Sequence, residues 1–81
     1  MTFGNALDAL REGKAVTRPN WNGKSMFLRL QVPDENSKMT LPYIYIEYPP
    51  DPKHPVYPSG CRVPWLASQA DMLASDWEVK E

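Results

Sequence analysis

Apolar side chains recur at Phe3, Ala6, Leu7 and Leu10, three and four positions apart, while Asp8, Arg11 and Glu12 fall off that stripe. A helix over these residues turns one apolar face to a core. Thr2 stands where its hydroxyl can accept from the free amides of the first turn, and Gly13 can end the helix. The period then changes to two. Residues 14–18 form a short strand closed by Pro19, which has no amide hydrogen for a ladder. Pro19-Asn20-Trp21-Asn22-Gly23 follows, and two asparagines with a glycine tolerate positive φ, which predicts a hairpin-like connection with an aromatic at its tip. From 25 to 32, Met26, Leu28, Leu30 and Val32 alternate with Phe27, Arg29 and Gln31, the mark of a half-buried strand. After the polar connector 33–40, residues 41–48 alternate again, with Ile44, Ile46 and Tyr48 opposing Tyr43, Tyr45 and Glu47.

Residues 49–60 carry Pro49, Pro50, Pro52, Pro55, Pro58 and Gly60, a composition that resists helix and central strand and favours extended segments or turns. It predicts an ordered flap or a flexible loop. Cys61, Arg62 and Val63 rejoin the sheet before Pro64. Ser68 with Asp71 three residues on has the pattern of a capping box, aspartate standing where Glu or Gln is usual, and opens a short helix through Ala74. Residues 76–80 read as a closing strand, with Trp77 in its core face. The chain is therefore expected to be α+β: one domain over 1–81, a small antiparallel sheet with an N-terminal helix and a short C-terminal helix.

Size changes this picture. A domain of 81 residues buries only about 60–65 % of its unfolded surface, and one core that small supplies about 3–5 kcal/mol. An apolar fraction of 42 % with 23 % charge is that of a folding chain, but one that calls for reinforcement. Cys61 is the one cysteine and His54 the one histidine, so neither an intrachain disulfide nor a thiolate-rich zinc site can be assembled, and a reducing compartment is expected. A homo-oligomer with a shared core is the remaining expectation. No secretion signal opens the chain, and its apolar runs fall far short of the ~20 residues that cross a bilayer. Nine basic and ten acidic side chains leave a net charge of −1, no footprint for polymeric nucleic acid or an anionic membrane.

The chain lacks a glycine-rich phosphate loop, and its one His and one Cys leave few reagents for a general base or nucleophile. A binding module without cofactor, rather than an enzyme, is expected. Three tryptophans in so short a chain offer rigid π-faces with indole donors, suited to stacking a purine. Trp77 reads as core. Trp21 and Trp65 lie in irregular segments beside proline and polar residues, and are candidates for ligand contact. Around them Arg18, Asn20, Asn22, Lys24, Arg29 and Arg62 can supply cations for phosphates and amides for base edges; any one of these charges reads first as solvated surface, and it is the coincidence of aromatic, amides and cations in 18–24 that singles out that group.

The segments Ala15-Val16-Thr17-Arg18-Pro19-Asn20-Trp21-Asn22-Gly23-Lys24-Ser25-Met26-Phe27-Leu28 and Val63-Pro64-Trp65-Leu66-Ala67-Ser68-Gln69-Ala70-Asp71-Met72-Leu73-Ala74-Ser75-Asp76-Trp77-Glu78 resemble a phage and prophage family, the second type of Thoeris anti-defence protein. The resemblance spans nearly the whole chain apart from 33–60. It implies a sponge that sequesters cyclic ADP-ribose isomers made by bacterial TIR-domain enzymes, in some members also cyclic dinucleotides, within the cytoplasm of the infected host. It further implies a homotetramer with ligand sites between subunits. On this basis Trp21 and Trp65 are expected to stack on the ligand, Asn22 and Gln69 to meet base or ribose, and Asp71 to accept from a ribose hydroxyl. Arg18, Lys24, Arg29 and Arg62 are the candidate phosphate partners. Asp71 has a rival role at the helix N-terminus. Two alternatives stay open: a phage structural or protein-interaction domain with an exposed aromatic patch, and an enzyme that consumes the nucleotide.

Overall fold

Thr2 opens the first helix, α1 (Phe3–Arg11), by a reciprocal cap: its Oγ1 accepts from the Asn5 amide at 3.1 Å, and the Asn5 side chain accepts from the Thr2 amide at 3.3 Å. Asn5 thus takes the place usually held by Glu or Gln. At the other end the Gly13 amide donates to Leu10 O at 3.0 Å, with Gly13 at φ +87°, a left-handed conformation that costs glycine little. The computed structural model describes residues 1–19, 21, 25–56 and 58–80.

Five strands follow: β1 (Ala15–Thr17), β2 (Phe27–Gln31), β3 (Tyr43–Tyr48), β4 (Cys61–Pro64) and β5 (Glu78–Lys80), with the helix α2 (Gln69–Leu73) between the last two. They form one sheet in the order β4-β3-β2-β1-β5, every neighbouring pair antiparallel. The registers Val16↔Leu28, Leu28↔Ile46 and Val16↔Val79 align Val16, Leu28 and Ile46 in one row across a single face. Against that row α1 sets Ala6, Ala9 and Leu10, and Trp77 completes the buried cluster. The opposite face carries Phe27, Arg29, Gln31, Tyr43, Tyr45 and Glu47, with Arg29 and Lys80 5.7 and 5.2 Å from the Phe27 ring and Arg62 5.9 Å from that of Tyr45. The α+β arrangement is the expected one.

The long strands are shorter than their alternating patterns. β2 stops at Gln31, which pairs with Tyr43; the residue that would face Val32 is Pro42, which has no amide to offer. Val32, expected on the core face, is therefore 64 % exposed. Pro64, by contrast, does join β4, which is tolerated because β4 is an edge strand. The proline-rich stretch joins two adjacent antiparallel strands and is built of turns: Asp51 accepts from the amides of Lys53 (3.1 Å) and His54 (2.9 Å), and His54 Nδ1 accepts from Val56 N at 3.1 Å. Gly60 closes it at φ +87°, where a Cβ would lie 2.8 Å from Tyr48 O. No helix among the described residues is long and apolar enough to cross a membrane.

Candidate functional site

The three tryptophans, far apart in sequence, converge on one cluster. Trp77, just before β5, is 1 % exposed. Its ring meets Phe3 at 5.4 Å, Trp21 edge-on at 5.3 Å and 87°, and Trp65 edge-on at 6.1 Å and 84°. Trp21 and Trp65 are themselves 6.3 Å apart. Edge-to-face contacts at these separations add roughly 0.5–1.5 kcal/mol each beyond area burial. The segments that deliver the rings are held by the backbone: the Trp65 amide donates to Ile44 O at 3.0 Å, Trp77 N to Met1 O at 3.1 Å, and Trp21 N to Arg18 O at 3.3 Å.

Asp71 is the hub of the polar side of this cluster. As third residue of α2 it caps its own helix: Ser68 Oγ accepts from Asp71 N at 3.1 Å, and Asp71 Oδ2 accepts from Ser68 Oγ at 2.8 Å and Ser68 N at 3.4 Å. Its Oδ1 accepts from Arg18 Nη1 at 2.7 Å and from the Trp21 indole at 3.1 Å. Its main-chain carbonyl accepts from the Trp77 indole at 2.9 Å. Arg18, one residue past β1, spans two carboxylates, its Nε donating to Asp76 Oδ1 at 2.7 Å. These are charge-assisted bonds between largely shielded groups, the Arg18 and Asp71 side chains being 18 % and 15 % exposed. Burial pushes the Asp71 carboxyl up, but bonds from Arg18, Trp21 and Ser68 outweigh it and hold the group below its ordinary value. Asp76 and then Asp71 raise Arg18 in turn.

Beside the cluster, Trp65 forms one wall of a groove of about 520 Å³ between α1 and the β2–β3 end of the sheet. Leu7, Leu30 and Ile44 make it apolar, and Arg11, Pro42 and Tyr43 also border it. That volume falls in the roughly 300–1,000 Å³ range of small-molecule sites. The Trp65 indole nitrogen has no hydrogen-bond partner among the described residues. A second hollow of about 380 Å³ lies at the β3–β4 hairpin, lined by Glu47, Tyr48, Gly60, Cys61 and Arg62.

Of the residues singled out in the sequence, the structure brings Arg18, Trp21, Trp65 and Asp71 together, with Gln69 exposed two positions before Asp71 on α2. Trp21, expected at a loop tip, is half-buried with its ring turned onto Trp77, because an acceptor and an aromatic partner await it there. Arg29 and Arg62 lie elsewhere. Arg29 is on the opposite sheet face, donating to Gly13 O at 3.1 Å, and Arg62 on the edge strand donates to Glu47 at 2.7 Å, which raises its pKa. Asn20, Asn22 and Lys24 fall outside the described residues. Asp76 and Phe3 were missed: nothing local relates Asp76 to Arg18, 58 positions away, and Phe3 reads only as part of the α1 stripe. Among the described residues no three His, Cys, Asp or Glu side chains gather to hold a metal ion. The arrangement offers stacking, hydrogen bonding and an apolar recess.

Comparison with known proteins adds an independent line. Residues 1–80 match the Thoeris anti-defence 2-like domain family. The chain is also similar to the protein named Thoeris anti-defense 2 of Bacillus phage SP01, 34 % identical over 92 aligned positions that cover 98 % of this chain and 93 % of that protein. A match that includes both helices, all five strands and the tryptophan cluster means that this chain belongs to the Thoeris anti-defence 2-like family.

Proposed function

We propose that this phage anti-defence protein is a sponge: it binds cyclic nucleotide immune signals, cyclic ADP-ribose isomers made by TIR-domain enzymes, and keeps them from their effector without degrading them. The observation that carries this reading is the family match over residues 1–80, which includes the whole tryptophan cluster. In this reading the surface parts of Trp21 and Trp65 stack on the adenine, since base–aromatic stacking is worth roughly 1–3 kcal/mol per base. Asn22 and Gln69 contact base or ribose. Lys24, Arg29 and Arg62 meet phosphates, of the ADP-ribose isomer or of a cyclic dinucleotide as a second ligand.

Arg29 and Arg62 are remote from the cluster within one protomer, so their part requires sites shared between subunits. Exposed leucines are in keeping with such an assembly: Leu41, Leu66 and Leu73 are 75 %, 91 % and 81 % exposed. In this reading the protein acts as a homotetramer in the cytoplasm of the infected host, where the signals are made. The same aliphatic surface is what a phage protein-interaction domain would offer, and that second reading requires no nucleotide.

One experiment separates these readings. The protein is mixed with the cyclic ADP-ribose product of a TIR enzyme, passed through a desalting column, heat-denatured, and the released nucleotide identified by mass spectrometry. Intact nucleotide in stoichiometric amount is expected. Linear ADP-ribose would make it an enzyme, and no retained nucleotide would favour the interaction domain.

A further inference from the structure

We propose that Arg18 and Asp71 serve capture of the nucleotide as positioning residues, which fix the Trp21 indole, and not as contacts to the ligand. The proposal rests on the sponge reading above and concerns how its site is built.

The argument is an acceptor count. A carboxylate has about four lone-pair sites. Those of Asp71 receive four donors: Arg18 Nη1 at 2.7 Å and the Trp21 indole at 3.1 Å on Oδ1, Ser68 Oγ at 2.8 Å and Ser68 N at 3.4 Å on Oδ2. A ribose hydroxyl could bind there only by displacing one of them: Arg18 and the Trp21 indole are part-buried, so either one left unpaired costs about what the new bond gains, and displacing the exposed Ser68 donors opens the α2 cap. Arg18 is equally committed. Its guanidinium lies 2.7 Å from each of two carboxylates, so an incoming phosphate would meet a locally negative group instead of a free cation.

What the pair does control is Trp21. That ring is located at its nitrogen by Asp71 and at its flank by the edge-on contact with Trp77, 5.3 Å away. Asp71 is itself located by α2 through Ser68 and by β1 through Arg18. Trp21 is thereby referenced to both the sheet and α2. A stacking surface whose orientation is set beforehand loses less freedom on binding, and small misplacements weaken recognition disproportionately.

The test is a double-mutant cycle read by calorimetry with the cyclic ADP-ribose isomer, joined to nitrogen-15 spectra of the ligand-free indoles. Trp21→Phe keeps a ring and deletes the N–H; Asp71→Ala deletes its acceptor. Trp21→Phe should weaken binding about tenfold, the low end for a lost base stack, Asp71→Ala, which also frees Arg18 and opens the α2 cap, at least as much, and the double variant no more than Asp71→Ala alone. Independent effects multiplying to about a hundredfold would overturn the proposal. Asp71→Asn guards against loss of fold: its amide oxygen can still accept from Arg18 and Trp21 while its NH₂ donates to Ser68 Oγ and the exposed Ser68 amide, 3.4 Å away, turns to water, so binding should stay within about threefold of wild type. A folded Asp71→Asn protein that binds tenfold more weakly would also overturn it. Without ligand, the wild-type Trp21 and Trp77 indole protons should exchange slowly and that of Trp65 fast, and Arg18→Gln should release Trp21 while Trp77 stays protected. A fast-exchanging Trp21 indole in the wild type refutes the positioning bond outright. Wild-type protein that fails to bind yet keeps that proton protected refutes the sponge reading instead, and with it any role of the pair in capture.

Discussion

Replacing Trp77 by phenylalanine should lower the melting temperature by about 10–20 °C, whereas the same change at Trp65 should lower it by less than about 6 °C, taking about 4–8 °C per kcal/mol for a domain of this size. At position 77 the substitution deletes an indole donor with a 2.9 Å bond to Asp71 O, in a ring that is 1 % exposed. The lost bond is worth about 1 kcal/mol net. The missing ring atoms lose their transfer free energy and leave a void beside Phe3, Trp21 and Trp65, together another ~1–2 kcal/mol. Together they remove about 2–3 kcal/mol from a total of order 4–12 kcal/mol for 81 residues. Trp65 is half-buried and its indole has no partner among the described residues, so the same deletion costs under about 1 kcal/mol there. The assay is thermal unfolding followed by near-ultraviolet circular dichroism, with all variants at one protein concentration because assembly would shift every midpoint. Midpoints within about 3 °C of each other would refute the division of the cluster into a structural and a surface-facing tryptophan.

Alanine at Trp21 or Trp65 should cost about ten- to a hundredfold in nucleotide affinity by calorimetry, and, since both rings pack on Trp77, some stability as well, though less than the ~3–5 kcal/mol of Trp77→Ala. Gly60→Ala should destabilise by about 1–3 kcal/mol in urea titration, because φ +87° is joined there by a Cβ position 2.8 Å from Tyr48 O; Gly13→Ala, with the same φ and open space around it, should cost about 1 kcal/mol. Asp71 is held below its ordinary value of 3.8, so the stability it contributes is complete above that pH and is lost as pH falls through the lower folded value; Asp71→Asn should flatten the acid limb of the stability profile below about pH 4. Light scattering at micromolar concentration should give a tetramer mass, and a stable monomer would remove the shared-site argument for Arg29 and Arg62.

How much of this could be read from the chain depends on the distance over which each interaction acts. The cap at Thr2, the stop at Gly13 and the Ser68–Asp71 box join residues three to five apart, and their side-chain types alone identify them. Alternation located β2 and β3, and their ends needed only one further fact, that Pro42 stands opposite Val32. The site is a different case. Arg18 reaches Asp71 across 53 positions and Asp76 across 58, and no local pattern distinguishes these from other surface charges. Trp21 shows the conflict most sharply: turn composition around it predicts a surface tip, yet a carboxylate and an indole ring supplied from the other end of the chain draw it inward. Asp71 belongs to both scales. Its capping role is local and was visible, and the same carboxylate carries the tertiary bonds that were not. Loss of binding on truncating Asp71 would therefore report the helix cap, the arginine bridge and the indole bond at once, and only a partner-specific change such as Trp21→Phe isolates the indole bond.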